Sequence, residues 1–589
     1  MLTPKENSSS DWKLLLLFFR YLNPYRKWVG LSLAAIPFTT AAAVLIPYLI
    51  VHIVDDYVMQ GDISGLYLMA MILAGSVLLG YLADAIYSFS LQKSGQMAIA
   101  QLRKNLFVHT LSLPRKYFDQ KPIGVSLSRM TSDTEAVGES IAIGVLSLIT
   151  DFIKTVSLLG FLLYLNWQLT LIVAGVLPVV YLVVSVLRKK LRFYFNTARE
   201  SIAEATAYLQ ECLNGVKTIQ LYAAENKVFQ RFKQKNKKFL NSQTRSNFFD
   251  ATLFSTIEGI TSITMAIIVW YGTGQILAKM ITIGILIGFI NTLSRIFIPI
   301  REFAQQISTI QRALSALQHI NELFNEESDE IENQLSQNQE SLISNFEAVE
   351  FRNVSFRYSD DGNAVLNNVS FKLKKGEKIA IVGATGAGKS TILRLLTKSY
   401  HDYEGKITLN GIDLLEIPQN ILNKNISLML QDVFMFNASI RFNISLDRPE
   451  VDEAEIDRVL KYVQANDFID QLPGKSAFQV NDNGSNLSAG QAQLLSFARA
   501  IAGNSELILL DEATSSVDSV TESKIQNAIE SIFRDKTVIA IAHRLSTIQN
   551  SDKIIVMKGG KIIETGNHLE LIKMNGYYVQ LLNDIEEHN

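Results

Sequence analysis

The chain has 589 residues, a formal net charge of −2, 48% hydrophobic residues and a single cysteine, Cys212. That length asks for more than one domain, the near-neutral charge excludes a nucleic-acid partner held by bulk electrostatics, and one cysteine excludes an intrachain disulfide. Long apolar runs crowd the first 300 or so residues, and the rest reads as an ordinary α/β domain, the pattern of a membrane domain fused to a soluble one.

Met1 to Ser10 is polar and carries no signal-peptide pattern, and the apolar run Leu14–Phe19 is too short to span a bilayer. Flanked by Asp11, Trp12, Lys13 and Arg20, that run predicts an interfacial helix, so residues 1–27 read as a cytoplasmic tail with an elbow helix. A span needs about 20 apolar residues. Six segments meet this, at 28–54, 63–91, 139–165, 167–187, 250–277 and 280–300, within a transmembrane domain of 28–324.

Connections between the spans are of two kinds. Spans one and two are joined by a short acidic loop with Asp55, Asp56 and Asp62, spans three and four by little more than Asn166, and spans five and six by Thr273–Lys279. The other two connections are long and rich in Lys and Arg, among them Arg103, Lys104, Arg115, Lys116, Arg188, Lys189 and Lys190. By the positive-inside rule the long connections and both termini lie in the cytoplasm. Helical spacing in stretches such as Ala198–Leu213 predicts that the spanning helices continue beyond the membrane before turning back.

Ionisable residues within spans are costly and are functional candidates for that reason. Asp151 and Lys154 (span three), Glu258 (span five) and Arg295 (span six) are such residues, and Asp84 lies near the inner interface. Two readings stand side by side. Lys154 and Arg295 could line a cavity and hold an anionic group of a cargo, or they could pair with Asp151 and Glu258 to hold helices together.

From 325 to 345 the chain is polar and acidic, a solvated linker. The remainder, 346–589, alternates short β-branched runs with helical stretches. Its decisive text is the buried-strand pattern Lys378-Ile-Ala-Ile-Val-Gly383, then Ala384, Thr385, Gly386, Ala387, Gly388, Lys389, Ser390 and Thr391, then the helical Ile392–Leu396. This is a P-loop, in which glycines let backbone N–H groups wrap phosphates at a helix N-terminus. Lys389 is expected to reach the β- and γ-phosphates of ATP, and Ser390 to ligate Mg2+. The apolar run Leu507–Leu510 ends in Asp511 and Glu512. Asp511 is expected on the metal, and Glu512 is placed to accept a proton from attacking water.

Asn486-Leu-Ser488-Ala-Gly490-Gln491, shortly before Asp511, resembles the signature sequence of ABC proteins. Further elements of that family fall in order. Tyr358 is similar to the aromatic that stacks on adenine, Gln431 to the Q-loop glutamine near metal and water, Asp518 to the D-loop aspartate, and His543 to the switch histidine at the γ-phosphate. The turns around Pro114–Gly124 and Leu209–Ile219 resemble the coupling helices of ABC exporters. The resemblance covers the chain from about Asp11 onward. It implies an exporter-type half-transporter in which each ATP is sandwiched between one P-loop and Ser488, Gly490 and Gln491 of a second chain. It also implies a bacterial inner or plasma membrane, a small hydrophobic or amphipathic cargo such as a drug or lipid, and a partner that is either a second copy or a different half-transporter.

Some positions depart from the family pattern. Ala489 stands where glycine is commonest, Ala492 where arginine is usual, and Asn481–Asn483 where a Glu-Arg pair is common. These changes are compatible with a heterodimer, and an ATP-gated channel or regulatory subunit on the same scaffold is the other alternative.

Overall fold

The computed structural model describes residues 20–138, 144, 146–328, 346–359, 362–431, 433–511, 519–542 and 544–586, the side chains of 298–308, 519–520 and 584–586 apart. The elbow run 14–19 and most of the linker, 329–345, lie outside the described residues. The chain divides into two compact units. One comprises 1–111 and 123–326, and the other 112–122 and 327–589.

The first unit is built of long helices: α1 (Arg26–His52), α2 (Ile63–Leu111), α4 (Leu146–Leu165), α5 (Trp167–Asn214), α6 (Glu225–Leu277) and α7 (Ile283–Phe324). Five described helices are long and apolar enough to cross a membrane, and α7 adds a shorter apolar stretch, Ile283–Phe297. With 49, 48 and 53 residues, α2, α5 and α6 far exceed the ~20 that a bilayer requires. Helices suit this setting because every interior N–H and C=O is satisfied within the segment. Large apolar side chains such as Met71, Leu79 and Tyr81 on α2 point outward, while Leu162, Leu169, Ile268, Phe289 and Leu293 form a buried interior.

The tips of these helices differ in detail from the sequence expectation. Asp55 and Asp56 sit in a π-helical turn, Ile53–Val58, that prolongs α1. There Asp55 accepts the Gly284 N–H at 2.8 Å and the Thr282 hydroxyl, anchoring the start of α7. Helix α6 runs on to Leu277, so the connection to α7 is shorter than Thr273–Lys279 implied in its first part and extends to Thr282. Asn166 alone separates α4 from α5. Its Oδ1 caps α5 by accepting Leu169 N–H at 2.9 Å, and its Nδ2 donates to Gln275 at 3.1 Å.

Gly284 and Gly288, one turn apart on α7, allow its backbone to approach α1. A Cβ at Gly284 would lie 2.5 Å from the Val51 carbonyl oxygen, and one at Gly288 2.5 Å from Val51 Cγ2. Small residues at this spacing let membrane helices pack at backbone contact.

The second unit is α/β. A four-stranded antiparallel sheet has the order β2-β1-β4-β5, with β1 (Ala348–Phe356), β2 (Leu366–Lys374), β4 (Tyr403–Leu409) and β5 (Ile412–Asp413). A six-stranded sheet has the order β10-β9-β3-β8-β7-β6. Its members are β3 (Lys378–Gly383), β6 (Ile426–Met429), β7 (Leu507–Asp511), β8 (Thr537–Ile541), β9 (Lys553–Lys558) and β10 (Lys561–Gly566), parallel except for β10.

Strand periodicity divides the core of this sheet. Leu507, Leu509, Ile539 and Ile541 pack on one face with α8 (Lys389–Leu396), through Ile392 and Leu395. Ile508, Leu510, Val538 and Ala540 pack on the other with α9 (Ala489–Ile501), through Leu494, Phe497 and Ala498. Covered on both faces, these strands read as unbroken apolar runs. The short helix α3 (Arg115–Gln120) belongs to this unit, although it lies between spanning helices in sequence.

Gly284→Ala is expected to lower the thermal midpoint of the purified protein, because overpacking costs about 1–3 kcal/mol where a carbonyl blocks the way. Gly160→Ala, whose added Cβ meets nothing within 4 Å, should leave it unchanged. Differential scanning fluorimetry on both variants checks this.

Candidate functional site

Three parallel strands end together. Register sets Asp511 level with Ile541 and Ile541 level with Ile381, two residues before the loop that leaves β3. Ligands of such sheets bind at this carboxyl edge. The loop from Gly383 leads into α8 through Gly388, which has φ +96° and which a Cβ would bring 2.7 Å from the Val365 carbonyl oxygen. Only glycine fits both the left-handed backbone and the gap, so the glycine spacing read in the sequence has a steric basis.

Lys389 opens α8, and its ammonium donates to the carbonyls of Gly383 at 2.6 Å and Ala384 at 3.2 Å. Burial pushes its pKa down, opposed by the Asp511 carboxylate. Ser390 and Thr391 follow on the first turn, with backbone N–H groups that have no carbonyl partner within the helix. The cradle kept clear at Gly388, the lysine and the helix N-terminus suit a polyphosphate, and the hard oxygen donors Ser390 and Asp511 suit Mg2+.

Tyr358 stands beside this loop. Its hydroxyl is 2.9 Å from the Thr391 hydroxyl, and Arg394 donates to it at 3.4 Å. Phe356 and Tyr400 meet its ring edge-on, with centroids 4.9 and 5.1 Å away. Tyr400 is buried, and its hydroxyl donates to Asp119 of α3 at 2.5 Å. Burial pushes the Asp119 carboxyl up, but hydrogen bonds from Tyr400 and Arg115 and the charge of Arg394 outweigh this and hold it below the usual range. Burial, and then Asp119, push the Tyr400 hydroxyl up.

In the signature stretch, Ser488 caps α9. Its hydroxyl accepts the Gln491 N–H at 3.2 Å, and the Gln491 side chain accepts the Ser488 N–H at 2.9 Å. Gly490 is buried in the first turn. Ala492 packs against the apolar core, and the Asn481 N–H is accepted by Asn486 at 2.9 Å. Farther along α9, Arg499 donates to the carbonyls of Asn443 and of Phe434, three residues past Gln431. Gln431 itself is exposed in a bend just past the end of β6. Glu512, Asp518 and His543 lie outside the described residues.

The charges singled out within the spans do not pair as the helix-holding reading expected. Lys154 on α4 donates to Asp84 on α2 at 3.2 Å. Asp151 is half-buried one turn away, and among the described residues Glu258 and Arg295 form no hydrogen bond or ion pair. The sequence reading missed Tyr400, Arg394, Asp119 and Arg499. A tyrosine after a helix and an arginine within one have no local signature, because what distinguishes them is a partner far along the chain.

Two family models match: ABC transporter transmembrane region over residues 29–300 and ABC transporter over 366–515. An uncharacterized ABC transporter ATP-binding protein of Bacillus subtilis, YknV, is 33% identical over 98% of this chain and 94% of its own length. An ATP-dependent lipid A-core flippase of Thiobacillus denitrificans is 31% identical over 95% of this chain and 96% of its own. Among solved structures, a bacterial Atm1-family ABC exporter with ATP bound superposes with a TM-score of 0.76 at 25% identity, covering 95% of this chain and 98% of that one.

Gly388→Ala is expected to weaken nucleotide binding about tenfold or more, since a left-handed non-glycine backbone costs roughly 1–2 kcal/mol before the clash with Val365 is counted. Titration with a fluorescent ATP analogue, with circular dichroism to confirm the fold, measures it.

Proposed function

The chain belongs to the ABC transporters, as an exporter-type half-transporter whose ATPase is coupled to transport, and on that premise we propose that two copies form one machine exporting or flipping an amphipathic cargo. The observation that carries this reading is the joining, on one chain, of the phosphate cradle at Gly388 and Lys389, the capped signature helix at Ser488, and helices long enough to cross a bilayer. With one P-loop and one signature stretch per chain, a sandwich of P-loop against signature takes two chains. The Lys- and Arg-rich long connections favour a cytoplasmic ATPase domain and cytoplasmic termini.

In the proposed mechanism Tyr358 stacks on adenine, Lys389 and the α8 N-terminus hold the β- and γ-phosphates, and Ser488, Gly490 and Gln491 of the second copy close over them, with Asp518 at the same seam. The capping box orders the α9 N-terminus, which supports a role for its positive dipole end at the phosphates once the second copy closes. Ser390, Asp511 and Gln431 hold Mg2+, which when bound neutralises phosphate charge. Glu512 takes the proton of the attacking water, and His543 contacts the γ-phosphate. Hydrolysis removes the group that holds the two domains together, and the coupling segments pass the opening to the membrane helices.

Amphipathic cargo is supported by relatives named as lipid A-core flippases and by a probable multidrug resistance transporter of Bacillus subtilis, YheH, 31% identical over 89% of this chain. The helices that would meet such a cargo carry charged residues, Glu258 on α6 and Arg295 on α7 among them.

The chain purified alone in lipid should hydrolyse Mg-ATP, and Glu512→Gln should lower the rate about 100-fold or more while ATP still binds. Absence of hydrolysis in well-folded wild-type protein that binds ATP would overturn the homodimer. Undiminished hydrolysis in the variant would remove Glu512 from the mechanism.

A further inference from the structure

Helix α3 reaches the nucleotide cradle through a continuous side-chain path. The Asp119 carboxylate accepts the Tyr400 hydroxyl at 2.5 Å. The Tyr400 ring stands edge-on to Tyr358, at 5.1 Å and 79°. Tyr358 in turn shares a hydrogen bond with Thr391, two residues beyond the phosphate-binding Lys389. Arg394 lies beside both ends. Its guanidinium is 5.8 Å over the Tyr358 ring, and its charge acts on Asp119.

Burial decides what this path can do. Tyr400 is only 5% exposed, and among the described residues Asp119 is the one hydrogen-bond partner of its hydroxyl. A buried donor deprived of its acceptor is costly, so the ring keeps this pose while α3 is docked and gains freedom when α3 withdraws. Tyr358 leans on that ring along one edge and on Phe356 along another, with centroids 4.9 Å apart. The orientation of the Tyr358 face is therefore tied to the position of Asp119.

We propose that Asp119 and Tyr400 are positioning residues for the nucleotide base, so that docking of α3 and stacking of adenine on Tyr358 are a single coupled equilibrium. The inference rests on the reading of Tyr358 as the base-stacking residue. Linkage makes the coupling reciprocal: bound base strengthens the seat of α3 by the same factor by which a seated α3 strengthens the base. The neighbouring pair Lys116–Asp402, at 2.6 Å, is exposed on both sides, so screening leaves it little hold on α3.

The test uses the full-length transporter in lipid nanodiscs, with Mg-ATP affinity from titration and Mg-tripolyphosphate, which has no base, as a competitive inhibitor of hydrolysis. Tyr400→Phe and Asp119→Ala, which remove the donor and the acceptor of that hydrogen bond, should each weaken ATP about 5-fold or more and leave tripolyphosphate inhibition unchanged. The double variant should match either single one, since both break the same hydrogen bond. Lys116→Ala should change neither affinity. Unchanged ATP affinity in Tyr400→Phe and Asp119→Ala, equal weakening of both ligands, or additive losses would each overturn the relay. Tyr358→Ala separates the two readings. If it spares ATP relative to tripolyphosphate, base stacking on Tyr358 falls. If it weakens ATP selectively while Tyr400→Phe does not, the relay alone falls.

Discussion

Everything in the C-terminal unit depends on the parallel register that ends β3, β8 and β7 at one edge. Because Ile381, Ile541 and Asp511 are level, a loop leaving β3 and a carboxylate ending β7 meet although well over a hundred residues separate them in sequence. That register is held by side chains of alternating direction. Shifting one strand by a single residue would turn Leu509 toward α9 and Ile508 toward α8, exchanging the two faces of the core. The chemistry at the edge is thus protected by the packing beneath it, and the glycine at 388 completes the arrangement by bringing the loop against Val365.

A different constraint governs the helical unit. In hydrocarbon there is no water for unsatisfied backbone groups, so the interiors of the long helices need no help and their ends need a great deal. The tips show how this is met. Asp55 covers the first N–H groups of α7, and Asn166 caps α5 while reaching α6 through Gln275. Close approach adds to hydrogen bonding where a Cβ at Gly284 or Gly288 of α7 would run into Val51 of α1. Lys154 and Asp84 join α4 to α2 by an ion pair.

Local and periodic features were legible in the sequence. The P-loop, the apolar strand before Asp511 and the apolar helices each announce themselves by spacing that a single element requires, whereas the cap at Ser488 shows only in the structure. Helix ends were less legible. The π-helical turn at Asp55 looked like a loop because its acidic residues signal exposure, whereas Asp55 is drawn in by the start of α7. Pairings across the fold were not legible at all. Nothing near Lys154 in the sequence points to Asp84, seventy residues earlier, rather than to Asp151 beside it. Tyr400 and Arg499 likewise gain their roles from distant partners, Asp119 and the carbonyl of Phe434.

The placement of α3 shows why such distant pairings matter. Its neighbours in sequence, α2 on one side and residues 123 onward on the other, belong to the helical unit, yet 112–122 belong to the α/β unit. A segment so short has little core of its own, so side chains must hold it. Burial ranks two of its polar contacts with the rest of the α/β unit. Lys116–Asp402 is open to water on both sides, where screening and side-chain entropy leave an ion pair with little net worth. Asp119 meets a hydroxyl on a ring that is almost fully buried, where loss of the acceptor is felt in full. Of these two contacts, the one with the larger hold on α3 is therefore also the one that leads toward the phosphate cradle, through a ring 5.1 Å from that of Tyr358.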